Sequence, residues 1–241
     1  MTSTLQFRVQ TVPTMIMVLF VPLFCALGIW QLDRAEQKRQ IAASLEQRRK
    51  LPALRIGTDL PETDGLEYRS LEVRGRFLHA KTVLIENRKY QGRNGFHVIT
   101  PLQLSGSGKL LLINRGWVPQ QTGESSAFSR PQGELTILGE ARIPQPPAID
   151  LQPQLDTTLA MPHWPFLTLE NYAAWSGLKI LPYVLLQSPQ DAGDFARQWP
   201  SPPTNDAMHI GYAIQWFAFA LIGLLIWLRL SLHKPSTGET S

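Results

Sequence analysis

The side chains with the clearest chemical potential open an apolar run. In HIGYAIQWFAFALIGLLIWLRL (209–230), His209 is followed by Tyr212, Gln215 and Trp216, and no charge appears until Arg229. An α-helix turns every ~3.6 residues, so His209, Tyr212, Trp216, Phe219 and Gly223 fall along one stripe. At a rise of ~1.5 Å per residue, Trp216 lies about 10 Å below His209, comparable to the width of a porphyrin. Gly211 and Ala213 flank the top of the stripe, where a flat ligand or a second helix can come close. Neutral imidazole suits iron and an aromatic wall suits a macrocycle, so one reading of His209 is an axial haem ligand. The other reading is a histidine at headgroup level above an interfacial Tyr/Trp belt, and spacing alone favours it. Gln215 faces a different side and lies deeper, where an amide needs a partner from another helix or subunit.

Other chemistry is sparse. Gly106-Ser107-Gly108 lacks the G-x-S-x-G spacing of a nucleophile elbow, and no phosphate-binding glycine loop occurs. His79, His97, His163, His209 and His233 form no i, i+4 pair and no HExxH. Cys25 is the only cysteine, which excludes a disulfide and a thiolate pair for zinc, copper or an iron–sulfur cluster. The expectation is a protein that is not an enzyme.

The elements that must carry His209 follow from charge segregation. Residues 12–32 and 207–230 hold no charge except Arg229. Each is long enough to cross a hydrocarbon core of ~30 Å, which takes about 20 helical residues. Residues 33–206 carry 20 Lys+Arg and 18 Asp+Glu, a net charge of only +2, so the basic pI does not argue for nucleic acid. The first apolar run is long for a signal core and ends in Trp30, an interfacial anchor, so it reads as a retained helix. Arg34, one turn further, falls at about the depth of His209, where it can meet a haem propionate or, more commonly, lipid phosphate. Arg229, His233 and Lys234 after the second run favour an inside C-terminus. The expected organisation is a cytoplasmic N-terminus (1–11), a transmembrane helix (12–32), an external domain (33–206), a second transmembrane helix (207–230) and a cytoplasmic tail (231–241).

Between the helices the hydrophobic period changes. DRAEQKRQIAASLEQRRK (33–50) lacks Gly and Pro and continues the first helix until Leu51-Pro52. SLEVRGRF (70–77), KTVLIENRKY (81–90), GFHVITPLQL (95–104), KLLLINRGWV (109–118), LTILGEARI (135–143) and ILPYVLLQ (180–187) read as strands. Short Gly-rich loops at 91–95 and 105–108 join three of them as hairpins, which are antiparallel by construction. Pro144, Pro146, Pro147, Pro153, Pro162 and Pro165 keep the next connection irregular, and 169–177 reads as a short helix ending at Gly177. WPSPPTND (199–206) is a stiff tether into the second span. The fold expected is an α+β membrane protein: two transmembrane helices flanking an external antiparallel β-sheet domain, curled towards a barrel, with short helices.

Four stretches in order, LGIWQLDRAEQK (27–38), ENRKYQGRNGFHVITPL (86–102), NRGWVP (114–119) and HIGYAIQWFAFA (209–220), resemble the Surfeit-locus protein 1 family. The resemblance runs from the first membrane helix to the second and is weakest over 144–206. It implies an assembly factor for cytochrome c oxidase that binds haem a and assists its insertion into subunit I, with haem A synthase upstream. It also implies that His209 is the haem ligand, with Tyr212, Gln215 and Trp216 completing the motif; in that mechanism Arg34, placed by its depth, would lie near the propionates. A cofactor-free scaffold that holds oxidase subunit I is the alternative. The absence of an Arg/Ser-rich presequence points to the bacterial type, in the inner membrane with a periplasmic domain. In NRGW, Gly116 suits a backbone with φ > 0 and Trp117 packs under the sheet, which leaves Arg115 for a partner or the membrane surface. Glu86 and Arg88, two apart on one strand face, could pair there and read as fold residues rather than site residues.

Overall fold

A computed structural model of the chain describes residues 6–57, 65–124, 127–144, 161–191, 194–200 and 206–233. The chain divides into a helical unit, 1–43 with 202–241, and a β-rich unit, 44–201.

The helical unit is built from two segments with little but apolar side chains. Helix α1 runs Thr11–Lys50 without a break across the junction of apolar and charged sequence, as expected for 33–50, and α4 runs Asp206–Ser231. Both are long and apolar enough to cross a membrane. Their large apolar side chains stay mostly exposed, including Met15, Leu19, Ile214 and Leu221, which suits a lipid surround rather than a protein core. The two helices pair antiparallel. Small residues spaced by seven, Gly28 and Ala35 on α1 and Ala213 and Ala220 on α4, are buried in the seam. Small residues let helix backbones approach where lipid supplies no hydrophobic drive. At Gly28 the ring of Phe217 lies so close that a Cβ would sit 2.7 Å from it. Polar ties hold both ends. Trp227 Nε1 donates to Thr14 Oγ1 at 2.9 Å, and strands β1 (Gln6–Phe7) and β10 (Leu232–His233) pair antiparallel. At the opposite end Arg39 Nε lies 2.8 Å from Asp206 Oδ2.

The β-rich unit contains β2 (Leu54–Ile56), β3 (Ser70–Phe77), β4 (Val83–Tyr90), β5 (Arg93–Leu104), β6 (Leu110–Pro119), β7 (Leu135–Arg142), β8 (His163–Trp164) and β9 (Ile180–Gln187). The six long strands lie where the alternating apolar pattern puts them. The β4–β5 loop is tighter than its Gly content suggests: Gln91 and Gly92 both take positive φ (46° and 76°), and Tyr90 already pairs with Arg93. That two-residue turn twists as the flanking strands do.

Five strands close on themselves in the order β3–β7–β9–β6–β5 and back to β3, because Gly75–Phe77 of β3 pair with Leu102–Leu104 of β5. The barrel is therefore formed, with one departure from an all-antiparallel sheet: β9 lies parallel to β6. Consecutive strands joined by tight turns must be antiparallel, whereas β9 returns after a long connection and is free of that constraint. The short strands β2 and β8 add parallel edges to β3 and β4. Leu71, Val73, Phe77, Leu102, Leu111, Ile113, Ile137 and Leu185 fill the barrel. A second apolar layer lies under α3 (Leu169–Ser176), where Trp164 and Tyr172 are fully buried and Trp175 meets both rings edge-on. Thr168 caps α3 through Asn171 N, and Gly177 ends it with a left-handed φ of 70°. Apart from α2 (Gln120–Glu124, five residues) and a 3₁₀ turn at His79–Lys81, the other described connections are irregular. The prolines at 146, 147 and 153 and most of the 199–206 tether lie outside the described residues.

Candidate functional site

His209 stands in the first turn of α4 and is half-buried against α1. Its Nδ1 lies 2.8 Å from Oε1 of Gln31. An amide oxygen only accepts, so Nδ1 carries the proton and donates. The imidazole is thereby held in the tautomer whose Nε2 has a free lone pair, the arrangement that second-sphere acceptors impose on metal-ligating histidines. Gln31 had no place among the expected site residues. Its signal was available in kind: an amide between Trp30 and Leu32 at the end of an apolar run needs a partner, and His209 is the polar group at the matching depth.

The other expected residues take separate places. Arg34 is exposed one turn beyond Gln31, with Nη1 2.9 Å from Gln37 Oε1. Tyr212 is 48% exposed on the flank of α4. Trp216 stacks on Phe24 of α1, with centroids 5.8 Å apart and 24° between planes, and Phe219 meets both rings. The structure thus pairs His209 with Gln31 and puts an aromatic floor, Phe24–Trp216–Phe219, two turns below. Gln215 is exposed on the outer face of α4 rather than buried against α1. Farther along, Gly223 borders an apolar groove of about 250 Å³ with Phe20, Phe24 and Trp227. It lies 14 residues or roughly 21 Å along α4 from His209, out of reach of the imidazole. Among the described residues, no group of three or more His, Cys, Asp or Glu is placed to hold a metal ion.

In the β-rich unit the NRGW stretch behaves differently from expectation at one position. Gly116 has φ 125°, and a Cβ there would sit 2.7 Å from Phe195 Cβ and 2.8 Å from Ala196 O. The segment 195–197 crosses β6 at this point, and Trp117 and Ala196 exchange backbone hydrogen bonds of 2.8 and 2.9 Å. Trp117 packs under the sheet as expected, its Nε1 donating to Arg88 O at 2.8 Å. Arg115, expected at a partner or membrane surface, is instead 3% exposed. It continues the inward alternation of Leu111 and Ile113, so the strand carries it inside. Its guanidinium lies 4.5 Å from the ring of Phe195 and 4.9 Å from that of Phe77. Burial, with Arg197 and Arg130 nearby, pushes its pKa down to about 10.

Glu86 and Arg88 are not paired. The β4–β5 register shifts between Ile85 and Arg88, with Asn87 at a positive φ of 57°, so the two residues no longer share a regular face. Glu86 lies 3.7 Å from His163 instead, and Arg88 is turned towards His97. His97 in turn takes a 3.4 Å hydrogen bond at Nδ1 from the amide of Asn114.

Comparison with known proteins covers both units. The chain is 28% identical to a SURF1-like protein of Caenorhabditis briggsae over 89% of its own length and 74% of that protein. It is 27% identical to Surfeit locus protein 1 of Mus musculus over 84% of its length and 70% of the mouse protein. For the Homo sapiens protein of that name the figures are 26%, 84% and 72%. Residues 18–221 match the SURF1 family from inside the first apolar helix, through the barrel, to the middle of the second; the chain belongs to the SURF1 family.

Proposed function

We propose that the protein is a cytochrome c oxidase assembly factor that receives haem a at His209 and passes it to oxidase subunit I. The observation that carries this reading is the 2.8 Å bond from His209 Nδ1 to Gln31, which leaves Nε2 as the ligating atom. The residues fit the cargo in kind: a neutral imidazole for iron, Tyr212 on the flank, the Phe24–Trp216–Phe219 floor beneath, and the Arg34 guanidinium one turn beyond Gln31 for a propionate. A single protein-derived ligand suits a carrier, since cargo held too tightly is not released. In this reading both chain termini lie in the cytoplasm, with the β-rich unit in the bacterial periplasm, lipid around the hairpin and haem A synthase as the source of cargo. The experiment is to purify the protein and its His209→Ala variant from cells that make haem a and compare their absorption spectra. Haem a in the wild type and its loss from the variant are expected; equal haem content in the two overturns the ligand assignment.

One observation favours a second reading, a cofactor-free scaffold for subunit I. Gln215 is exposed on a helix otherwise suited to lipid, and an amide facing hydrocarbon is costly until another helix bonds it. Co-purification of subunit I with haem-free protein, abolished in Gln215→Leu, would select this version.

A further inference from the structure

We propose that one end of the β-barrel is a binding site for a small organic monocarboxylate with a short apolar tail. The site is a cavity of about 270 Å³ where β3 and β9 end and β7 begins. Its position follows from strand alternation. The inward rows that fill the barrel run Leu111, Ile113 and Tyr183, Leu185, and their next members are Arg115 and Gln187. The apolar lining therefore gives way, at this end, to a guanidinium and an amide.

Both polar groups are buried and incompletely bonded. Arg115 donates from Nη2 to Ser129 O at 2.6 Å, while its Nε and Nη1 have no hydrogen-bond partner among the described residues. Gln187 donates to Asp191 Oδ2 at 3.1 Å and leaves its Oε1 unpartnered. Arg197 is bonded to backbone oxygens of Arg115, at 2.7 Å, and Asp191. A buried guanidinium with open donors is costly unless an acceptor completes it.

The charges around the cavity define the acceptor. Arg115 and Arg197 line the cavity with Asp191, a net charge of +1, and burial lowers the pKa of His79, whose Nε2 lies 2.8 Å from O of the lining residue Pro131. One negative charge balances the group and a phosphate dianion overshoots it. Phe77, Leu135, Ile137 and Phe195 form an apolar patch of the wall, beside Ser129 and Thr136, and receive a short hydrocarbon tail. At about 270 Å³ the cavity falls just below the roughly 300–1,000 Å³ of sites for drug-sized ligands, which restricts the tail to a few carbons.

The test uses the full chain in a non-ionic detergent with butyrate as probe, and with butanol and inorganic phosphate as controls. Saturation-transfer NMR should show saturable butyrate binding, with transfer from the aromatic protons of the protein. Butanol should give none, and inorganic phosphate, added as a competitor because it carries no observable protons, should not displace butyrate. Arg115→Lys should weaken butyrate binding by roughly tenfold or more, the weight of a lost charge-assisted hydrogen bond. Should that variant not fold, Leu135→Trp, which fills the cavity from its wall, should abolish the signal. No saturable butyrate binding to the wild type, displacement of butyrate by equimolar phosphate, or binding unchanged in Leu135→Trp each overturns the proposal.

Discussion

Acidification should weaken the β-rich unit through His97, and the structure sets the size of the effect. Asn114 uses its Oδ1 to accept from Gly116 N at 3.2 Å, which orients its NH₂ group towards His97 Nδ1. The imidazole must accept there and is therefore neutral; a proton on Nδ1 would set two donors against each other. Burial, with the charge of Arg88 added, lowers the pKa of His97 from 6.5 to about 4. Because the unfolded chain takes up the proton first, the stabilisation is complete above pH ~6.5 and is lost as pH falls towards 4. A shift of that size is worth roughly 3 kcal/mol, at 1.36 kcal/mol per pH unit. The assay is urea unfolding of the detergent-solubilised chain and of His97→Gln between pH 7 and pH 4, followed by tryptophan fluorescence. Carboxylates and the other histidines titrate in both proteins and cancel in the difference. The stability advantage of the wild type over the variant should shrink by about 3 kcal/mol across this range. A difference that stays constant with pH refutes the neutral, buried imidazole.

Three further outcomes are expected. In Gln31→Leu the acceptor for His209 Nδ1–H disappears, so ¹⁵N chemical shifts of the haem-free protein should move from the Nδ1–H tautomer towards Nε2–H; an unchanged tautomer means that Gln31 does not orient the ring. Gly116→Ala places a Cβ 2.7–2.9 Å from Phe195, Ala196 and Arg197 at a φ of 125°. It should cost on the order of 3 kcal/mol and lower Tm by roughly 10 °C in a melting experiment, and a shift under 2 °C counts against the strain. Thr168→Ala removes the α3 cap to Asn171 N and should cost about 1 kcal/mol in urea unfolding, with Thr168→Ser close to wild type.

Legibility in the sequence depended on how local the cause was. The strand Ile180–Gln187 and the capped helix Leu169–Ser176 announce themselves through period and terminal chemistry, and both apolar helices through length alone. The β6–β9 pairing was not legible, since its partners are set by where a long connection returns. Strands of two or three residues, such as β2 and β8, are too short to carry a period. At the candidate site His209 stood out by type, whereas Gln31 gains its meaning only from the antiparallel register that brings residues 178 apart in sequence together. The charge of Arg115 points to a surface, whereas alternation along β6 puts it in the inward row, and the alternation prevails.

The position of β9 also dictates when the barrel can exist. It is the last long strand in the chain, yet it fills the gap between β6 and β7, two strands made much earlier. While the polypeptide emerges, those two edges stay open with unpaired backbone groups, and no shorter nascent chain can close the ring. The ribosome must deliver the keystone before the arch can bear load, so a stop anywhere ahead of Ile180 leaves a sticky open sheet rather than a smaller stable domain.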